Sequence, residues 1–285
     1  MAVPNVSVGS DHGLVEPIGE AFVASGDARM VAEPHYDADH GRAVYTLAGD
    51  PGALSGALRD GVRFATGRID MASHAGSHPC VGVVDVVPVV FLEEFLRGAA
   101  CAEALVTADL LGRGLGIPVF LYGLLGGGRA RAQLRRGGVT GLAERVASGE
   151  LAPDFGPSEV SPSRGASLVA ARPPLVAFNV ELEPPAGLEL AREIAAAIRE
   201  GGTDGLAGVR AIGLELATGG GVAQVSVNVE DHRRVPLAMV VERVAARAPV
   251  GATELVGLAP RSAFDGFPEG LECRNRATLE DALGF

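Results

Sequence analysis

Two histidines stand four residues apart in Met71-Ala-Ser-His74-Ala-Gly76-Ser-His78-Pro79-Cys80-Val-Gly82, a Gly-, Ser- and Pro-rich stretch running into apolar Val83 to Phe91. Imidazole has the side-chain pKa nearest neutrality, so a His held by such a loop can take or give a proton at little cost. His78 is the first candidate for general acid and base work, although a His in this setting can equally do no more than order its loop. On a helix the four-residue spacing would suit a metal pair. Gly76 and Pro79 argue against a helix, so His74 reads as a supporting residue, and no metal is expected.

Other residue types widen the candidate site. Asp37, Asp39 and His40 offer donors for a hard cation, or simply an Asx turn. Arg42 can grip a carboxylate bidentately, its plain alternative being a surface ion pair. Cys80 beside His78 raises the possibility of a thiol nucleophile. Asn5, Asn179, Gln224, Ser226 and Asn228 lie in or beside strand-like segments, where side-chain donors and acceptors can orient a substrate or bond within a sheet. Gly156-Pro157-Ser158 to Ser163-Arg164-Gly165 reads either as a rigid exposed loop able to read a ligand edge or as a linker. Gly112, Gly114 and Gly116 lack dinucleotide-loop spacing, and Gly126 to Gly128 lack the Lys and hydroxyl of a P-loop.

Composition narrows the class. The 285 residues are 47% hydrophobic and 21% charged, ordinary for a globular chain of one large domain or two small ones. Net charge is −11 and lysine is absent, so the basic field that gathers phosphate backbones is missing and nucleic-acid binding is not expected. Three cysteines without a CxxC suit a reducing compartment better than a disulfide framework. The longest apolar run, Val81 to Leu92, is broken by Asp85 and Pro88 and is too short to span a bilayer. With no signal-peptide pattern at the start, the cytoplasm is the expected location.

The elements that must position these residues repeat one pattern. Ala2 to Val8 reads as a strand, and Asp11 can cap a helix to about Ser25 with Leu14, Ile18 and Phe22 on one face. Strands follow at Met30 to Pro34 and Arg42 to Leu47, then a helix opened by Pro51 and ending near Gly67, then the strand Val83 to Phe91. Leu175 to Leu182, Gly187 to Glu200, a hairpin of Val209 to Ala217 and Val222 to Val229 about Thr218-Gly219-Gly220-Gly221, Leu237 to Ala246, and Thr253 to Leu258 give the same β-α-β-β-α-β order. Glu93 to Gly114 reads as helical, Ile117 to Tyr122 as strand-like and Gly126 to Ser163 as a connector. The expectation is an α/β (α+β) chain of two ferredoxin-like βαββαβ subdomains, residues 1–174 and 175–285, with a ligand cleft between them. Consecutive Pro173 and Pro174 mark the boundary, since neither helix nor ladder runs through them.

Several of these segments, in this order, resemble the formiminotransferases: Val3-Pro4-Asn5, Asp39-His40-Gly-Arg42, the His74 to Gly82 loop, Leu-Ala-Pro153-Asp154-Phe155-Gly156-Pro157-Ser158, Pro-Ser163-Arg164-Gly165, Phe178-Asn179 and Gln224-Val-Ser226-Val-Asn228. The resemblance implies transfer of the formimino group of N-formimino-L-glutamate to tetrahydrofolate as co-substrate, a step of histidine degradation, by a homodimer. It implies that His78, in the His-Pro step, is the catalytic residue, that Gly156 to Gly165 lies against the folate, and that no thiol is needed. Around His78 the family usually reads His-Lys-Gly-Glu-His-Pro-Arg-Met-Gly, where this chain has Ala75, Ser77, Cys80 and Val81 in place of Lys, Glu, Arg and Met. Two other readings follow from those substitutions: one-carbon transfer with a different amine partner, or a folate-binding paralogue without catalysis. The chain ends soon after the second unit, which leaves no expected room for a fused cyclodeaminase.

Overall fold

The computed structural model describes residues 1–74, 76–216 and 221–284. The chain divides into two compact units, Met1–Pro173 and Pro174–Phe285.

The first unit is built on β1 (Asn5–Val6), α1 (Val15–Val23), β2 (Ala28–Met30), β3 (His35–Asp37), β4 (Arg42–Val44), β5 (Leu47–Gly49), α2 (Leu54–Thr66) and β6 (Val84–Val90). It continues through α3 (Arg97–Asp109), β7 (Val119–Leu121), α4 (Arg131–Arg135), α5 (Gly138–Ala147) and β8 (Ser167–Arg172). Its main sheet has the order β3-β4-β1-β6-β8-β7, and β2 pairs with β5 in a separate ribbon. The stretch β3-β4-β1-β6 is antiparallel and, with α1 and α2, forms the expected split βαβ; β8 and β7 add to it in parallel. Apolar spacing on α1 buries Val15, Ile18 and Phe22, and on α2 Leu54, Leu58, Val62 and Ala65, in one core with the sheet. Phe22 is fully buried there, and truncating such a ring costs about 3–5 kcal/mol.

β6 is buried along its whole length, which explains its almost unbroken valine run. Asp85 and Pro88 interrupt the run, and Asp85 is as buried as its neighbours. Pairing with β1 steps from Asn5 opposite Val86 to Val6 opposite Val84, so Asp85 is the extra residue of a β-bulge.

The second unit runs β9 (Val176–Leu182), α6 (Leu188–Ile198), β10 (Val209–Leu216), β11 (Val222–Val229), α7 (Leu237–Ala245), β12 (Val250–Val256), β13 (Cys273–Arg274) and α8 (Leu279–Leu283). The order β10-β11-β9-β12-β13, antiparallel through β12, is again the split βαβ, with β13 added in parallel. Strict alternation sends Phe178, Val180, Val225, Val227 and Leu255 to the core with Ile194, Ile198, Val240 and Val244.

Three expectations change. Gly126 to Ser163 is not a plain connector, because it contains α4 and α5, and Leu134, Leu142 and Val146 bury against Phe120 and Leu168. Ser167 to Arg172 pairs with both β6 and β7, a central strand that its Ala-rich sequence did not advertise. Ala2 to Val8 makes only a two-residue ladder preceded by isolated bridges at Ala2, and Met30 to Pro34 gives way to two short strands on either side of residue 33. The hairpin turn at Thr218, Gly219 and Gly220, with Ala217 before it, lies outside the described residues, as does Ala75 in the histidine loop.

Candidate active site

The histidine loop is strapped to its neighbours by backbone. Asp70 caps the turn Met71–Ser73, accepting from the Ala72 N–H at 2.9 Å, and the Met71 N–H donates to Ser163 O at 2.8 Å. Ser77 donates to Asp39 O through both its N–H, at 3.0 Å, and its hydroxyl, at 2.8 Å. Gly76 passes so near the Asp39-His40 turn that a Cβ there would sit 2.5 Å from His40 O. Beyond His78, the Ala166 N–H donates to Val81 O at 2.8 Å and the Val83 N–H to Arg164 O at 3.0 Å. Gly165, at φ +69°, crosses Gly82 there, and a Cβ on Gly165 would lie 2.1 Å from Val81 O. The end of the Gly156 to Gly165 segment is therefore committed to holding the loop in place.

His78 is brought into a connected polar cluster. Arg42 Nη1 lies 2.9 Å from His78 Nδ1 and donates to Asp85 Oδ2 at 2.9 Å, while its Nε donates to Asn5 Oδ1 at 2.8 Å. Asn5 in turn donates to Val3 O at 2.8 Å. Asp85 also accepts from the Val81 N–H at 2.9 Å, and Arg135 grips both of its oxygens through Nε and Nη2. The His40 ring centre is 6.2 Å from that of His78, and Asp37 holds His40 through Nδ1 at 2.7 Å and through the backbone N–H at 2.9 Å.

Nδ1 of His78 has two neighbours with opposite demands. Arg42 can only donate to it, whereas Pro79 O, 2.9 Å away, can only accept. The tautomer with Nδ1–H on Pro79 O leaves a lone pair on Nε2 and is the proton-accepting form. The one taking the Arg42 hydrogen bond carries its proton on Nε2.

Charge sets the protonation states. Burial, then Arg42 and Arg135, hold His78 well below the ordinary imidazole value. Burial pushes Asp85 up, but Arg135 and Arg42 outweigh it and keep the carboxylate ionised far below its usual range. Burial pulls Arg42 down to about 10, which leaves it cationic at neutral pH. The Cys80 thiol is pushed up by burial and by Asp85, so it stays protonated, against a role as nucleophile.

The remaining candidates are dispersed. His74 lies against Gly9 and Gly76, and its buried Nδ1 has no hydrogen-bond partner among the described residues. Gly156 packs on Gly112 and Ile117, Pro157 and Ser158 are exposed, and Arg164 donates to Leu115 O at 3.2 Å. In the second unit, Ser226, Asn179 and Glu254 are register partners across β11, β9 and β12, with Gln224 and Asn228 two residues to either side of Ser226 on the same face. Asn179 donates to Glu254 at 3.0 Å, whereas both amide atoms of the fully buried Gln224 lack a partner among the described residues. Among the described residues no three His, Cys, Asp or Glu side chains are grouped to hold a metal. No helix among them is long and apolar enough to cross a membrane.

Sequence reasoning missed Asp85 and Arg135 as site residues. A signal existed for Asp85, since a carboxylate inside a valine-rich strand must be paired if it is buried. Arg135 carries none, as it is one of several arginines in a glycine-rich stretch.

Comparison with known families settles the relationship. The family model described as "Formiminotransferase domain, N-terminal subdomain" matches residues 1–172, and "Formiminotransferase domain" matches residues 177–266. The chain belongs to the formiminotransferase family. Glutamate formimidoyltransferases of Streptococcus pyogenes serotype M1 and Thermoplasma acidophilum are each 33% identical to it, over 92% and 94% of this chain and 89% and 93% of theirs. The formimidoyltransferase-cyclodeaminase of Gallus gallus is 34% identical over 92% of this chain, which spans 50% of that relative. In this formiminotransferase the His78 cluster falls within the first match and the Asn179 to Asn228 row within the second.

Proposed function

We propose that this formiminotransferase moves the formimino group of N-formimino-L-glutamate to tetrahydrofolate, with His78 as the proton shuttle. As the receiving folate nitrogen bonds the formimino carbon it loses a proton. As the bond from that carbon to the glutamate nitrogen breaks, the departing nitrogen gains one. A single imidazole can serve both steps. The observation that carries the reading is the placement of His78 against Arg42, itself paired with Asp85, in a chain of this family. A ring held neutral is free to accept at Nε2, and the neighbouring guanidiniums make the imidazolium a ready donor, so the proton is returned rather than stored.

His74, His40, Asn5 and Arg42 then frame the shuttle, while Gly156 to Gly165 and the row Asn179, Gln224, Ser226 and Asn228 serve substrate and folate binding. The setting in histidine degradation, the cytoplasmic location and the homodimer are carried over from the family.

Turnover of tetrahydrofolate and N-formimino-L-glutamate by wild type and by His78→Ala, with the folate product read by its absorbance after acid cyclisation, tests the reading. Product from wild type alone is expected. Absence of turnover with tetrahydrofolate binding intact would transfer support to a different amine partner.

A further inference from the structure

The cluster beside His78 holds more positive charge than its own residues neutralise. Two guanidiniums, Arg42 and Arg135, share one carboxylate, Asp85. Among the described residues, the other side chains hydrogen-bonded to them, His78 and Asn5, add no anion, His78 being held neutral, and the Cys80 thiol stays protonated. Asp37 is bound to His40, and Asn5 is uncharged. Arg136, next to Arg135, is matched by Glu150 at 2.8 Å, so the surplus belongs to the Asp85 pair. Both guanidiniums are largely buried, with side-chain exposures of 9% and 11%. The surplus stands inside a chain whose net charge is −11. A shielded cation without a counter-charge is costly, and the natural occupant of such a place is an anion supplied from outside.

We infer that the Arg42–Asp85–Arg135 cluster is a carboxylate subsite next to His78, and that Arg135 determines specificity there. Asp85 engages Nε and Nη2 of Arg135 and Nη1 of Arg42, which orients both planar forks while leaving N–H groups beyond those it consumes. One carboxylate oriented by the bulge of β6 thus presents two arginines to a second carboxylate that arrives with the substrate. Arg135 comes from α4, far along the chain from the histidine loop, so the subsite does not depend on cations within that loop. The ligand's identity rests on the formimino-transfer reading. Both co-substrates carry the chemistry, in the glutamate part of N-formimino-L-glutamate and in the glutamyl tail of tetrahydrofolate.

Steady-state kinetics of Arg135→Gln and Arg135→Lys in the full chain separate the sources. Loss of a charge-assisted fork predicts a rise of about tenfold or more in KM for one co-substrate, with a smaller change in kcat and partial recovery by lysine. The co-substrate affected identifies the carboxylate. Unchanged KM for both, in a variant with the wild-type melting temperature, overturns the inference. Should Arg135→Gln not fold, Arg135→Lys carries the test, with a several-fold rise in KM expected and no rise overturning it. A wild type without turnover defeats the proposed reaction separately, and the subsite is then read by calorimetry with glutarate. Binding by wild type that Arg135→Gln loses supports it, and absent or equal binding overturns it.

Discussion

The two units share one strand order but furnish it differently. In the first, Asn5, Arg42, His78, Asp85 and Arg135 form a hydrogen-bonded chain in which each charge sets the state of the next. In the second, the corresponding sheet carries uncharged Asn179, Gln224, Ser226 and Asn228 in register with the acids Glu181 and Glu254 and the arginines Arg210 and Arg274. One region is wired internally through charged groups. The other leaves Gln224 fully buried with both amide atoms unpaired among the described residues. A common strand order thus fixes where side chains stand, while the groups it carries differ between the units.

The largest difference between the units is expected between His78→Ala and Gln224→Met. Positioned proton transfer is worth ~10² to 10⁴ in rate, so His78→Ala should lose that much kcat, whereas Gln224→Met should mainly raise KM. Equal losses of kcat from both would abolish the division of labour. Stability separates the units next. Asp85→Asn strands two buried arginines and should cost about 3–5 kcal/mol by denaturant unfolding, more than any single exchange in the amide row. Gln224→Met should leave stability unchanged or raise it by about 1 kcal/mol, since it removes an unpaired buried amide. A clear loss of stability would mean that the amide is satisfied within the protein.

The smallest expected effect concerns pH. His78 is depressed in the folded state, so the unfolded chain binds more protons between the folded pKa and the ordinary value of 6.5. The stability it contributes is therefore complete above 6.5 and is lost as pH falls below it. His78→Asn should flatten the fall in melting temperature between pH 6.5 and about 5, leaving the slope due to His74 and His232, which are also depressed by burial. An unchanged slope would show that His78 titrates normally. The same electrostatics predict that Arg135→Gln moves the acidic limb of the rate profile to higher pH, because removing a neighbouring cation raises the imidazole pKa.

Much of this was written locally. Periodicity of 3.6 in Leu54, Leu58 and Val62 and of 2 in Phe178 and Val180 suffices for the helices and strands, because burial of one face needs only a repeating pattern. Where strands are short, as in Asn5–Val6, or Ala-rich, as in Ser167–Arg172, the pattern has too few apolar residues to declare itself, and pairing with neighbours decides. The histidine loop was legible because Gly, Ser and Pro are strong local punctuation and imidazole chemistry is a property of the residue itself.

The residues themselves determined that a His-Pro loop enters a valine-rich strand, that two βαββαβ units follow one another, and that the chain resembles the formiminotransferases. Only the tertiary structure decided what surrounds His78. Asp85 and Arg135 are 50 positions apart, and Arg42 and His78 are 36 apart. Ion pairs of that kind leave no periodic trace, because they depend on which strands pair and where a bulge turns a carboxylate, not on the order of neighbours along the chain.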